Sequence, residues 1–500
     1  MLSLNRLLIV LLLWRQIIAK NIKDPLNNKE QQLYSSSNAG LLKLLELEER
    51  FMENVKIYTN KLAEKVENLQ AFINSIDYKV NQTFEDREKY VSNPLNAFSL
   101  VRRTHEDLPK WHNYTQQKVG MVELYALEEI AVQAPDEEDM NYYLQEMHRL
   151  EKIYGLEATD LARGRLQDKK YDIKMSARDC FALGEHKYQQ EDYQRAALWF
   201  RMALKQEPEK NSNKINEILG DINDKLRSQY ATSMIIFGLT ISNTKLTIAK
   251  SKQLASEALA KSSLDDLNSF IAELLTQSDE DVVREMNTNA TAPSDYELGC
   301  RGLLPKRKNL YCRYDFSTTL FLRIAPMKQE IISLDPYIVM HHKVLYNDEI
   351  AELKLHAKDK ITATKDNRLR LKSLRKRIVN RITDIIGLGF HINHELHMPD
   401  YDRISYYNPN RNYAYWGGPK ATLLFFASDV VQGGATVFTK SKVSVFPQKG
   451  NSLFWYNLLD DGTPDIRSVQ AECPVIKGKK WVFTKWIKEI NSQCTQRTKS

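Results

Sequence analysis

The side chains best able to do chemistry lie in the last third of this 500-residue chain. His391, His394 and His397 recur three apart, a spacing that sets imidazoles on one face of a helix, where they can hold a metal. No carboxylate pattern accompanies them to orient the rings, so a polar loop is the preferred reading. No histidine follows His397, and Arg403 to Ser428 contains no His, Asp, Glu or Cys, so a two-histidine metal site within these strands has no residues to build it. Cys300 and Cys312 flank a short polar loop, Cys473 and Cys494 bracket the C-terminal end, and Cys180 stands alone in a helical pattern. Two local bridges, Cys300 to Cys312 and Cys473 to Cys494, plus one buried thiol are expected. Zinc is not, because no CxxC pair or nearby histidine supports it.

These groups need a scaffold and a compartment. The chain is 42% hydrophobic and 27% charged, which suits two or three globular domains. Its net charge of +7 is modest, and the basic cluster Arg368, Arg370, Lys372, Arg375, Lys376, Arg377 and Arg381 is interleaved with apolar residues at helical spacing. That pattern reads as a solvated helix face, and no nucleic-acid partner is expected. Arg6 precedes the apolar run Leu7 to Leu13, and Ile17-Ile18-Ala19 ends in a small residue, the layout of a secretory signal over 1–19. The run is too short for a membrane anchor, so a lumenal chain starting near Lys20 is expected. Sequons at Asn81, Asn113 and Asn289 are compatible with glycosylation on that route.

From about Ser35 to Lys118 apolar residues recur at three and four, with no glycine between Leu41 and Lys118. This predicts a helical region over 20–138, either a coiled-coil dimerisation segment that makes the chain a homodimer or a bundle within one chain. Over 139–240, Leu183-Gly184, Ala196, Phe200, Ala203 and Pro208 fall at the spacings of a tetratricopeptide repeat, with Lys187 at the usual tyrosine position. Its concave side would present Tyr188 and Tyr193 to an extended proline-rich peptide; as seam residues they would instead fill the helix interface. A helical linker is expected over 241–317. Beyond it short β-rich runs, Thr318 to Ile324 and Ile331 to Met340 among them, alternate with turns around one helix, Asn347 to Ile386, broken near Thr362. An α+β chain with a C-terminal double-stranded β-helix, a jelly roll over 318–500, is the predicted fold class.

The segments Gly433-Gly434-Ala435-Thr436-Val437-Phe438, Phe454-Trp455-Tyr456-Asn457-Leu458, Cys473-Pro474-Val475 and Gly478-Lys479-Lys480-Trp481 closely resemble the catalytic barrel of collagen prolyl 4-hydroxylase α-subunits. The resemblance extends upstream through Leu298-Gly299-Cys300-Arg301-Gly302 and Asp179-Cys180-Phe181. It implies a procollagen-proline 4-dioxygenase that uses Fe(II), 2-oxoglutarate, O2 and ascorbate, with protein disulfide isomerase as β-subunit and collagen-like peptide as substrate. The metal would need two histidines and a carboxylate on one face. At the matching positions stand Tyr415, Gly417 and Gln470, so the resemblance implies a pseudoenzyme of the endoplasmic-reticulum lumen, with an active enzyme using an atypical metal site as the alternative. Lys480 matches the lysine that pairs with the distal carboxylate of 2-oxoglutarate, and Tyr406 and Thr422 match hydroxyls lining that pocket. The chain ends in Gln496-Arg497-Thr498-Lys499-Ser500, so retention is expected to come from the partner.

Overall fold

A computed structural model describes residues 34, 38–76, 83–206, 212–242, 248–287, 292–305, 310–358, 365–387 and 419–487. The chain divides into two compact units, 1–141 and 142–500. In the first, α1 (Asn38–Ser75) is a helix of 38 residues that is free of glycine from Leu41 onwards. α2 (Phe84–Ser92) opens on a Thr83 capping box, and α3 (Pro94–Arg102) on Asn93 with proline in its first turn. α4 (Leu108–Gln116) and α5 (Met121–Val132) fold back on α1 within the same chain. Phe72 stacks on Trp111 at 4.4 Å, and Lys61 bonds Glu123 at 2.8 Å.

The second unit begins with most of α6 (Glu137–Tyr154), followed by α7 (Ala158–Ala162) and a two-stranded hairpin, β1 (Arg165–Leu166) and β2 (Lys169–Lys170). Ser176 caps α8 (Ala177–Gln189) reciprocally with Asp179, and Asp192 caps α9 (Tyr193–Lys205). The two helices cross closely because Gly184 has no side chain: a Cβ there would meet the Phe200 ring at 2.6 Å. Cys180, Trp199 and Phe200 are wholly buried in this core. After α10 (Ser212–Leu219), α11 (Asn223–Ser242), α12 (Ile248–Lys261), α13 (Leu264–Thr276) and α14 (Asp279–Met286), the stretch expected to be a linker sends Ile271, Val282 and Met286 into that same core.

α15 (Asp295–Cys300) leads into the β part. Its main sheet is six-stranded and antiparallel, formed by β3 (Cys312–Asp315), β4 (Met327–Ser333), β5 (Ile338–His341), β6 (Ala421–Phe426), β10 (Ser452–Tyr456) and β13 (Val482–Ile487) in the order β13-β6-β10-β5-β4-β3. A three-stranded sheet, in the order β11-β8-β9, contains β8 (Thr436–Phe438), β9 (Val443–Val445) and β11 (Gln470–Glu472). β7 (Val430–Gly433) pairs with β12 (Val475–Gly478). The strand period of two divides the main sheet's side chains. Leu424, Phe426, Leu453 and Trp455 face Phe438, Val443 and Val445 of the smaller sheet. Leu423, Phe425, Phe454 and Phe483 face α16 (Asn347–Lys358) and α17 (Lys365–Ile386), whose Leu353, Leu374, Ile378 and Ile382 cover them.

Two expectations are corrected here. Thr318 to Ile324 is not a strand, although its residues are β-prone. Asp315 ends β3 by accepting from the Ser317 and Thr318 amides at 3.0 and 3.3 Å, and the chain then makes a single tight turn at Phe321–Arg323. The second concerns the bridges. Cys300 pairs with Cys473, with Cα atoms 5.6 Å apart, whereas Cys312 is a free, exposed thiol. α15 packs on β8, and the Cys473 amide bonds the Ala435 carbonyl beside it at 2.8 Å, so both sulfurs arrive at one end of the smaller sheet. Cys312 instead opens the edge strand of the six-stranded sheet, opposite Glu330. Cys494 lies outside the described residues.

His341 makes the β part acid-sensitive. It is 4% exposed, its Nδ1 has no hydrogen-bond partner, and burial pushes its pKa down to about 4, against a weaker upward pull from Asp315. The unfolded chain therefore binds the extra proton first, so stability is level above about pH 6.5 and falls as pH drops towards 4. This one group accounts for roughly 3 kcal/mol across the window. His148, also lowered to about 4, acts in the same direction. His341→Phe should shrink the difference in urea midpoint between pH 7 and pH 4.5; an unchanged difference would remove His341 from the account.

Candidate functional site

The inward face of the smaller sheet carries the polar groups. β11 runs antiparallel to β8, with Gln470 opposite Phe438, Ala471 opposite Val437 and Glu472 opposite Thr436. Directly opposed residues share a face, so Gln470 and Glu472 lie on the side of Phe438, which contacts Trp455 of the six-stranded sheet at 5.4 Å. Val437, opposite Ala471, turns the other way and joins the cluster around Cys300 and Cys473. Lys480, just before β13, reaches back to the same place. Its Nζ donates to the Gly434 carbonyl at 2.7 Å, approaches Thr436 Oγ1 at 3.5 Å and is paired with the Glu472 carboxylate. Thr436 Oγ1 donates to the Glu472 oxygens at 3.0 and 3.1 Å.

Gly434 and its neighbour Gly433 shape this corner. Both have positive φ, and a Cβ on Gly433 would meet the Pro474 carbonyl and the Tyr154 hydroxyl, each at 2.7 Å. The Tyr154 hydroxyl, on the last residue of α6, donates to the Pro474 carbonyl, and burial holds its pKa well above the usual phenol value. Thr422, 4% exposed on β6, accepts from Asn457 Nδ2 at 2.8 Å, and Asn457 in turn accepts from Trp455 Nε1 at 2.8 Å. The hydroxyl is thereby tied to a fixed amide. Tyr406, Tyr415, Gly417 and the three histidines His391, His394 and His397 lie outside the described residues. His341 and His342 are on β5 or just after it, bound up with Gln329 and with Glu330 and Asn451 rather than with the Lys480 corner. Among the described residues no three His, Cys, Asp or Glu side chains converge on a point where an ion could sit.

Tyr188 and Tyr193 do come together, edge to face at 5.3 Å. Tyr193 is 5% exposed, however, packed with Ile236 of α11 and Ala255 of α12, and Lys252 of α12 lies over its ring at 5.6 Å while bonding Glu191 at 2.8 Å. In this arrangement the pair fills the seam beneath α12. Asn113 is exposed on α4, while Asn81 and Asn289 lie outside the described residues. A separate polar cleft of about 280 Å³ lies between the β1-β2 hairpin and β7, lined by Asp168, Lys169, Arg301 and Gln432. It is distinct from the Lys480 corner. Sequence reading missed Glu472, whose signal was its place two residues after Gln470 on one strand face.

Comparison with known proteins shows what the chain is similar to. Residues 37–168 match the family described as "Prolyl 4-Hydroxylase alpha-subunit, N-terminal region". The chain is 27% identical to prolyl 4-hydroxylase subunit alpha-2 of Gallus gallus over 92% of this chain and 94% of that protein. It is 28% identical to prolyl 4-hydroxylase subunit alpha-1 of Homo sapiens, over 91% and 93% respectively. Over about nine-tenths of its length the chain is similar to prolyl 4-hydroxylase α-subunits. The crystal structure of a viral collagen prolyl hydroxylase from Paramecium Bursaria Chlorella virus-1, in complex with 2OG, aligns over 31% of this chain and 96% of that one at 13% identity and a TM-score of 0.22. No described helix is long and apolar enough to cross a membrane.

Proposed function

We propose that the chain is a non-catalytic prolyl 4-hydroxylase α-subunit of the endoplasmic-reticulum lumen that keeps the family's scaffold and partner surfaces. The reading is carried by Gln470, which stands on the inward face of β11 at the position the resemblance gives to the second histidine. A neutral carboxamide is a poor replacement for imidazole on Fe(II), and Tyr415 and Gly417 supply neither the other imidazole nor the carboxylate. The residues present do not fit the metal, so no step of an oxidation is assigned to them. The β part keeps a reason to fold without a metal, because Leu424, Phe426, Leu453 and Trp455 pack against Phe438, Val443 and Val445 in an apolar layer that does not include Gln470.

Two binding roles accompany this reading. α1 keeps an exposed row, Leu45, Met52, Val66 and Ile73, on seven- and fourteen-residue spacings, in addition to the residues packed on α4 and α5. Such a row suits a second copy of the chain, which supports the homodimer. Proline-rich peptide would reach Tyr188 and Tyr193 once α12 moves off them, and protein disulfide isomerase is the partner the family resemblance implies.

The decisive experiment uses the full mature chain with iron, ascorbate, 2-oxoglutarate and a proline-rich peptide. The expected result is no stoichiometric Fe(II), no peptide-dependent succinate and retained peptide binding by calorimetry. Chelator-sensitive hydroxylation would establish the active enzyme with an atypical metal site instead.

A further inference from the structure

Glu472 meets Lys480 where an incoming carboxylate would have to lie. The ammonium group has three protons, and the structure offers each an oxygen: the Gly434 carbonyl at 2.7 Å, Thr436 Oγ1 at 3.5 Å and the Glu472 carboxylate. Glu472 is not a casual surface partner. Its backbone is fixed in the β11-β8 ladder opposite Thr436, the Thr436 hydroxyl donates to it, and the Glu472 and Lys480 side chains are only 23% and 12% exposed. The corner thus holds one cation and one anion, with no net charge to attract a second anion. A dicarboxylate placed on Lys480 would lie beside Glu472, carboxylate against carboxylate, in a partly desolvated site, and like charges so placed oppose binding strongly.

We propose that Glu472 is a tethered carboxylate that takes the place of the distal carboxylate of 2-oxoglutarate on Lys480, so that this barrel excludes the cosubstrate. The proposal rests on the family reading given under the proposed function, through the resemblance that matches Lys480 to the lysine of the distal carboxylate. It does not rest on the loss of iron ligands, and it concerns binding alone. Glu472 then determines specificity by occupying the site from within the chain. Removing its charge should open an anion site that the fold still retains.

The test titrates the iron-free full chain with 2-oxoglutarate by calorimetry, with thermal shift as a second readout. Wild type should show no saturable binding. Glu472→Gln, which keeps an oxygen for Thr436 and for Lys480, should gain saturable binding at least about tenfold tighter than any wild-type signal. Glu472→Ala should do the same if it folds, and Glu472→Gln combined with Lys480→Ala should lose the gain. The proposal is overturned if wild type binds 2-oxoglutarate as tightly as Glu472→Gln. It is equally overturned if the gain survives loss of Lys480, or if folded Glu472→Gln fails to bind. Wild-type binding without iron or succinate release would sink this inference and leave the non-catalytic reading standing. Iron-dependent turnover would sink that reading, whatever the variants do.

Discussion

Cys473→Ser should lower the stability of the second unit by about 5 kcal/mol, the chain-entropy value for releasing a very long loop, while Cys312→Ala should change it by less than about 0.5 kcal/mol. The first figure follows from the 173 residues that separate Cys300 from Cys473. The second follows from an exposed, unbridged thiol on an edge strand. Urea midpoints of the oxidised proteins, read with non-reducing peptide maps, check both. A local Cys300 to Cys312 bridge would reverse the order, making Cys312→Ala the costly change, and that outcome would refute the pairing.

Lys187→Met should cost about 3–5 kcal/mol, because it strands a buried carboxylate. Lys187 on α8 is fully buried and paired with Glu151 on α6, which is itself 5% exposed. Trp199 Nε1 donates to the other Glu151 oxygen at 2.6 Å, and His148 Nδ1 also contacts the lysine. Burial raises the Glu151 pKa and lowers that of Lys187, pushing each towards its neutral form, while each pulls the other back towards its charged form. Pairing Lys187→Met with Glu151→Gln should recover most of the loss, since an amide can still accept from Trp199 and no charge is left alone. Equal midpoints for wild type and Lys187→Met would show that the pair contributes nothing.

The helices were largely legible in the sequence because their periodicity is local. The Gly184 crossing with Phe200 follows from spacing, while Thr362, where a helix break is expected, lies outside the described residues. The Thr318 to Ile324 run misled for a physical reason: one side chain, Asp315, satisfies two backbone amides and stops the strand before β-propensity can act. Non-local partners left no such trace. The Cys300 to Cys473 bridge, Glu151 beneath Lys187 and Glu472 on Lys480 all depend on which elements become neighbours, and one chain's spacing does not encode that. Lys187 did announce itself as an ammonium where a tyrosine was due. Its counter-charge came from a different helix.

Tyr154 terminates α6 and places its hydroxyl against the Pro474 carbonyl, while two residues earlier in space the same helix end is capped by Arg301, whose guanidinium donates to the Ile153 and Lys152 carbonyls at 2.9 and 3.0 Å. The last turn of α6, which supplies Glu151 to the α8-α9 hairpin, is thereby also bolted to the turn that carries Gly433 and Gly434. In a deuterium-exchange experiment, amides of α8, α9 and the smaller sheet would then open together as one foldon, and a fragment cut between the helices and the sheets would expose a torn surface on both halves.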